Sequence, residues 1–151
     1  MYQTSEAYRK AIVQGARTAI GYIADINGNI LLGQEQLQKI DIEASANSGE
    51  DLLPGSCLCD KLKITALDPT GTVTSLNWAG KEIVPYLGVE TADGAETIPM
   101  GVFIATEPKV TNDCLVEIEA QDRACKLEIQ WTTEKEHWPM TLSQLVHRAC
   151  E

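Results

Sequence analysis

The sequence predicts a mainly β fold, either a β-barrel or a two-sheet antiparallel sandwich, with short N- and C-terminal helices. Three observations predict it. Apolar and polar residues alternate in several short runs, as in Lys39 to Ala46 and Leu115 to Gln121, and a period of two is that of a strand with one buried face. The runs are separated by turn chemistry, namely Asn27-Gly28, Asp68-Pro69-Thr70-Gly71 and Ala92-Asp93-Gly94-Ala95, and strands joined by turns rather than crossover helices pair antiparallel. Apolar residues at helical spacing occur near the two ends of the chain, where they predict peripheral helices.

The first element is a helix over residues 5–14. Thr4 or Ser5 supplies a hydroxyl to cap it, Tyr8, Ala11 and Ile12 form its apolar stripe, and Gly15 stands where a C-terminal cap belongs. A helix this short is marginal alone in water and needs a surface to pack on. From Ala19 the period changes to two, with Ile20, Tyr22, Ala24 and Ile26 on one face. Asn27-Gly28 is expected to provide the left-handed residues of a tight hairpin, after which Asn29 to Leu32 returns. Lys39 to Ala46 places Ile40, Ile42, Ala44 and Ala46 opposite Lys39, Asp41, Glu43 and Ser45. Leu62, Ile64 and Ala66 mark a further strand, and Ile83 to Val89 and Ile98 to Ile104 flank a second hairpin. Val116, Ile118 and Ala120 mark the next, and Leu127, Ile129 and Trp131 extend the strand region, which lies within 17–131. A closing helix over 141–150 carries Leu142, Leu145, Val146 and Ala149 on one stripe, with Thr141 and Gln144 at the spacing of a capping box. The expected core includes Leu62, Ile64, Val102, Phe103, Ile104, Val116 and Ile118.

At 151 residues the chain reads as one domain, 1–151, large enough to bury a core without disulfide staples. Its formal net charge of −10 repels phosphate backbones, and Lys61-Leu62-Lys63 is too small a basic patch to reverse that. No nucleic-acid partner is therefore expected. No apolar run approaches the roughly 20 residues of a membrane span, and Met1 to Glu6 shows no basic, apolar leader. Five cysteines, an odd number at irregular spacing, fit reduced thiols made in a cytoplasm.

Few residues suggest chemistry. Cys57 and Cys59, with His147 and Cys150, could form a three-Cys-one-His zinc set. The two halves lie far apart and the pairs lack the usual spacing, and cysteine is often buried as a small apolar group. No metal ligand or cofactor is assigned. His137 and His147 have no cysteine signature around them that would mark a thiol nucleophile. Glu117 and Glu119 share one strand face and read as a solvated surface. No phosphate loop and no nucleophile elbow occurs. No catalytic residue is assigned. Trp78 lies in a turn-rich segment and, with Trp138, is a candidate exposed aromatic for stacking on a sugar or filling a partner's pocket; for Trp78 the alternative is a ring folded back over the barrel end.

Several segments then line up in order. Tyr2-x-Thr4-Ser5-Glu6-Ala7-Tyr8-x-x-Ala11-Ile12 opens the chain. Pro54-Gly55-Ser56-Cys57 precedes Leu62-Lys63-Ile64. Pro99-Met100-Gly101-Val102-Phe103, Ala120-Gln121-Asp122, Lys126-Leu127 and Trp138-Pro139-Met140-Thr141 follow. This series resembles the N-terminal domain of tail hub or tail-associated proteins of phages and prophages of Gram-positive hosts. Two positions depart from the pattern: Gln121 stands for a usual tyrosine and Pro54 for an aliphatic residue. The resemblance implies a non-enzymatic β-barrel module that forms a ring, commonly a trimer, at the tail tip or baseplate. It would join the tail tube and distal tail proteins to fibre, receptor-binding or lytic modules. It implies synthesis in the bacterial cytoplasm and a final place in the virion tail. Family members usually run on for hundreds of residues, so this chain is expected to be one domain of a longer protein or a truncated prophage gene. Within that reading Tyr8, Ala11 and Ile12 are the candidate interface. The alternative is a carbohydrate-binding β-module that recognises a receptor or cell-wall glycan through Trp78 or Trp138.

Overall fold

The computed structural model describes residues 2–44, 59–112 and 114–127, together with Thr141, Ser143, Gln144 and His147. One helix, α1 (Glu6–Val13), precedes nine strands: β1 (Ala19–Asp25), β2 (Ile30–Leu32), β3 (Leu37–Glu43), β4 (Lys61–Leu67), β5 (Glu82–Thr91), β6 (Gly94–Pro99), β7 (Phe103–Ala105), β8 (Lys109–Asn112) and β9 (Leu115–Asp122). A 3₁₀ turn, Arg123–Leu127, follows β9. All strand pairs are antiparallel. The strands form one sheet in the order β2-β1-β5-β7-β9-β4-β3, with β6 paired to β5 and β8 to β9. The fold is mainly β, as the alternation predicts. The sheet stays open: among the described residues no pair joins β2 to β3, so it is not a barrel. No described helix is long and apolar enough to cross a membrane.

Register explains the core. Ile23 lies opposite Leu32, Ile83 opposite Phe103, and Ile64 is flanked by Ile40 and Ile118. These directly opposed apolar pairs are the unit of sheet stabilisation. Leu62, Ile64, Phe103, Val116 and Ile118 are buried as expected, whereas Val102 and Ile104 are only half-buried. The reason is a corner. The run from Ile98 to Ile104 is not one strand but β6 and β7, divided at Met100–Val102, with Gly101 at φ 127°.

Two further local readings change. At the first hairpin only Gly28 is left-handed (φ 88°), since no described residue other than glycine has positive φ. The Gly28 amide donates to the Asp25 carbonyl and the Asp25 amide to the Asn29 carbonyl. The loop therefore runs Ile26 to Asn29, and Ile26 lies beyond β1. At the end of α1 the chain turns extended at Gln14 (φ −69°, ψ 140°), so Gly15 is not a left-handed cap. The N-terminal cap agrees with expectation: the Ser5 hydroxyl accepts the Tyr8 amide at 2.9 Å. Most of the expected 141–150 helix lies outside the described residues. Ser143, Gln144 and His147 are helical, and Thr141 and Gln144 exchange the hydrogen bonds of a capping box, the Gln144 amide donating to Thr141 Oγ1 and the Thr141 amide to Gln144 Oε1.

The connection from β4 to β5 closes one end of the core. Asp68, 5 % exposed, accepts the Thr74 amide at 2.8 Å and the Thr74 hydroxyl at 3.0 Å. Burial alone would push its carboxyl up, but hydrogen bonds from Thr74, Val73 and Thr72 outweigh it and hold the group below its ordinary value. The folded loop inserts Val73 and Trp78, each 1 % exposed, into the core. The Trp78 indole donates to the Val73 carbonyl at 2.8 Å.

Gly88 on β5 faces Thr97 on β6. A Cβ there would lie 1.9 Å from the Glu96 carbonyl oxygen, inside any real contact distance, whereas a Cβ at Gly33 meets nothing within 4 Å. Gly88→Ala is expected to lower stability by at least about 2 kcal/mol through forced backbone displacement, while Gly33→Ala stays within about 0.5 kcal/mol of wild type. Phe103→Ala should cost about 3–5 kcal/mol. Urea unfolding of the three variants checks this; a Gly88→Ala protein as stable as Gly33→Ala would contradict the packing of β6 on β5.

Candidate functional site

The described residues bring the candidate interface to one place, the seam where α1 lies against β5 and β6. The helix holds there through its first turn. The Ser5 amide donates to Glu96 Oε1 at 2.9 Å, and the Ser5 hydroxyl donates to the other carboxylate oxygen. These bonds, that of the side chain foremost, hold the Glu96 carboxyl below its ordinary value. The same hydroxyl caps the Tyr8 amide, so one residue both starts the helix and anchors it to β6.

The stripe then divides. Tyr8 is buried at 8 % exposure, Ala11 is half-buried, and Ile12 is 41 % exposed. Tyr8 is thus a packing residue of this domain. Ile12 is the member of the three left open to solvent, beside Val13 at 83 %. Between α1 and the sheet runs a groove of about 330 Å³, lined by Tyr8, Ile12, Ile20, Leu87, Ile98 and Met100, among others. Among the described residues Arg17 is the one charged side chain on its wall. Its guanidinium donates to the Ile12 carbonyl, where the last turn of a helix favours a cation.

The other candidate residues lie elsewhere. Trp78 is not an exposed aromatic. Its ring fills the core because the Asp68 loop folds back over the sheet end, and its N–H finds a partner there, as buried indoles require. Trp138, Cys57, His137 and Cys150 lie outside the described residues. Cys114 and Cys125 carry free thiols. Glu117 and Glu119 share the solvent face of β9, and each is paired: Glu117 with Lys63 and Glu119 with Lys109, both at 2.9 Å. Across this face Asp41, Lys63 and Glu119 stand side by side on three strands, which is an alternating-charge surface rather than an acid pair. The Glu117 hydrogen bond raises Lys63, and that of Lys109 lowers Glu119.

Sequence reasoning did not find Arg17, Leu87, Ile98 and Met100 as groove residues, because they come together only when β6 folds back on β5. It also did not find the Tyr22–Tyr86 pair, stacked at 4.8 Å with ring planes 10° apart. These two residues are cross-strand neighbours. The signal for the pairing was present in β5, where Val84 and Tyr86 make the second face as apolar as the first.

No protein-family model matches this chain, and no curated protein matches it.

The Glu96 contacts give a pH signature. A carboxyl whose folded pKa is depressed contributes stability fully present above its unfolded value, about 4.3, and lost as the pH falls through the folded value. Wild type should therefore exceed Glu96→Gln in stability at neutral pH, with the difference shrinking below about pH 4. Urea titrations across pH 3–7 measure it. A difference that does not change with pH would show that the charge of Glu96 does not hold the helix.

Proposed function

We propose that this chain is a non-enzymatic structural module of a phage or prophage tail, one that assembles at the tail tip or baseplate and links the tube to distal modules. Two lines support the reading. The ordered motifs from Tyr2 to Thr141 resemble tail hub proteins along nearly the whole chain. The observation that carries most weight is the seam of α1: a short helix spends its buried face on β5 and β6, yet Ile12 of the helix and Met100 beyond β6 stay exposed on the wall of an apolar groove. Apolar surface of this kind is what a subunit of a larger assembly retains. In this reading the contacts are with other copies, in a ring such as a trimer, and with neighbouring tube and distal tail proteins.

The carbohydrate-binding alternative is weaker because Trp78, one of its two stacking residues, is in the core.

The test is location. Antiserum raised against the purified chain should label the tail tip of phage particles released from the source strain, seen by gold-label electron microscopy. Particles without label, with the antigen confined to soluble lysate, would overturn the proposal. Binding to a cell-wall glycan array that survives when particles are absent would move the assignment to the alternative.

A further inference from the structure

Strand β1 carries an apolar surface at each end, and the two differ in shape and charge. Where β1 begins lies the groove of Tyr8, Ile12, Ile20, Leu87, Ile98 and Met100, a concave surface whose one charged group among the described residues is Arg17. Where β1 ends lies the β1–β2 hairpin, a convex tip on which Ile26 is 53 % and Ile30 64 % exposed. The segment from Ala19 to Leu32 carries one charge, Asp25. Neither isoleucine is needed to make the turn. Its shape is set by Gly28 and by the Asp25 carboxylate, which accepts the Asn27 amide at 2.8 Å, the Asn29 amide at 2.9 Å and the Asn29 side-chain amide at 2.8 Å. Seven extended residues separate the surfaces by about 20 Å, so they do not meet within one copy.

We infer that the β1–β2 hairpin of one copy docks in the α1–β5–β6 groove of the next, with Ile26 and Ile30 against the apolar wall and Asp25 facing Arg17. The partner is a second copy of this chain. This names the contact within the tail-module reading and rests on it. Charge complementarity selects the arrangement. Groove on groove would oppose two copies of Arg17, and tip on tip two copies of Asp25, whereas groove on tip pairs opposite charges. Unlike patches that meet produce a head-to-tail series, which closes into a ring when the rotation allows. Because the chain as a whole carries −10, the copies repel at long range, and salt that screens this repulsion strengthens the contact.

Sedimentation of the full chain tests the inference. Wild type should associate with rising concentration, more strongly at high salt than at low. Ile30→Asp damages the tip and Met100→Asp the groove; each alone should sediment as a monomer with an unchanged circular-dichroism spectrum. Mixed one to one, they retain one intact tip and one intact groove, and should form a heterodimer and nothing larger. Arg17→Glu replaces Met100→Asp as the groove variant if the latter does not fold. A wild-type chain that stays monomeric up to about 1 mM overturns the inference, as does a mixture that remains monomeric while wild type associates, or a single variant that associates like wild type. A monomeric wild type together with tail-tip label would remove this contact and leave the tail assignment standing.

Discussion

Strand β5 is paired along both edges, and the rest of the structure depends on how its second edge is shared. One edge follows β1 from Ile83 to Val89. The other is divided: Glu82 and Ile83 pair with β7, and Tyr86 to Thr91 pair with β6. The break falls at Pro85, whose carbonyl accepts the Met100 amide at 2.9 Å. In an extended strand the N–H and C=O of a residue point to the same edge. The missing N–H of Pro85 therefore faces the break, where the ladder with β6 ends on the single Met100–Pro85 bond, and a proline is tolerated inside a central strand. The same break lets the chain turn at Met100–Val102. It sends β6 out to receive α1 and returns β7 to carry Phe103 and Ala105 into the core.

Much of this was legible in the sequence. The alternation of Leu62, Ile64 and Ala66 with Lys61, Lys63 and Thr65 reads directly as a strand with one wet face, and β4 is one. Ser5 is a hydroxyl before an apolar helical stripe, and it caps α1. What was not legible depended on partners distant in sequence. Ile98 to Ile104 has the composition of one strand, and only the demand of β5 for two partners divides it. Lys109–Asn112 is too short and polar to announce β8, which exists because β9 offers it an edge. For Trp78 the reading of a ring folded back over the sheet end holds, but the Asp68 hydrogen bonds that fold its loop inward are a tertiary effect without a local signature. The groove has the same origin, since its walls come from α1, β1, β5 and β6.

The β3–β4–β9 face carries ion pairs between exposed groups, such as Lys39–Asp41 at 2.7 Å and Lys109–Glu119 at 2.9 Å. Exposed pairs of this kind contribute roughly 0–1 kcal/mol each, and they make an alternating-charge surface. Of the exposed apolar side chains, Ile12 and Met100 lie at the α1 seam, Ile26 and Ile30 at the hairpin, and Val110 on β8 beside β9. Glu82 ties the 3₁₀ turn after β9 back to β5 through Arg123 at 2.7 Å and Lys126 at 3.3 Å. The two halves of the sheet are thereby linked on the surface as well as through the core.

The central claim is that β5 organises the fold while α1 is an addition to its outer edge. Native-state hydrogen exchange measures this most directly. The account predicts that amides of β5 and of its partner strands β1 and β7 exchange only through global unfolding, with the full free energy of stability, while amides of α1 exchange through a local opening of clearly lower free energy. Equal protection of α1 and β5 would make the helix part of the core and contradict the account.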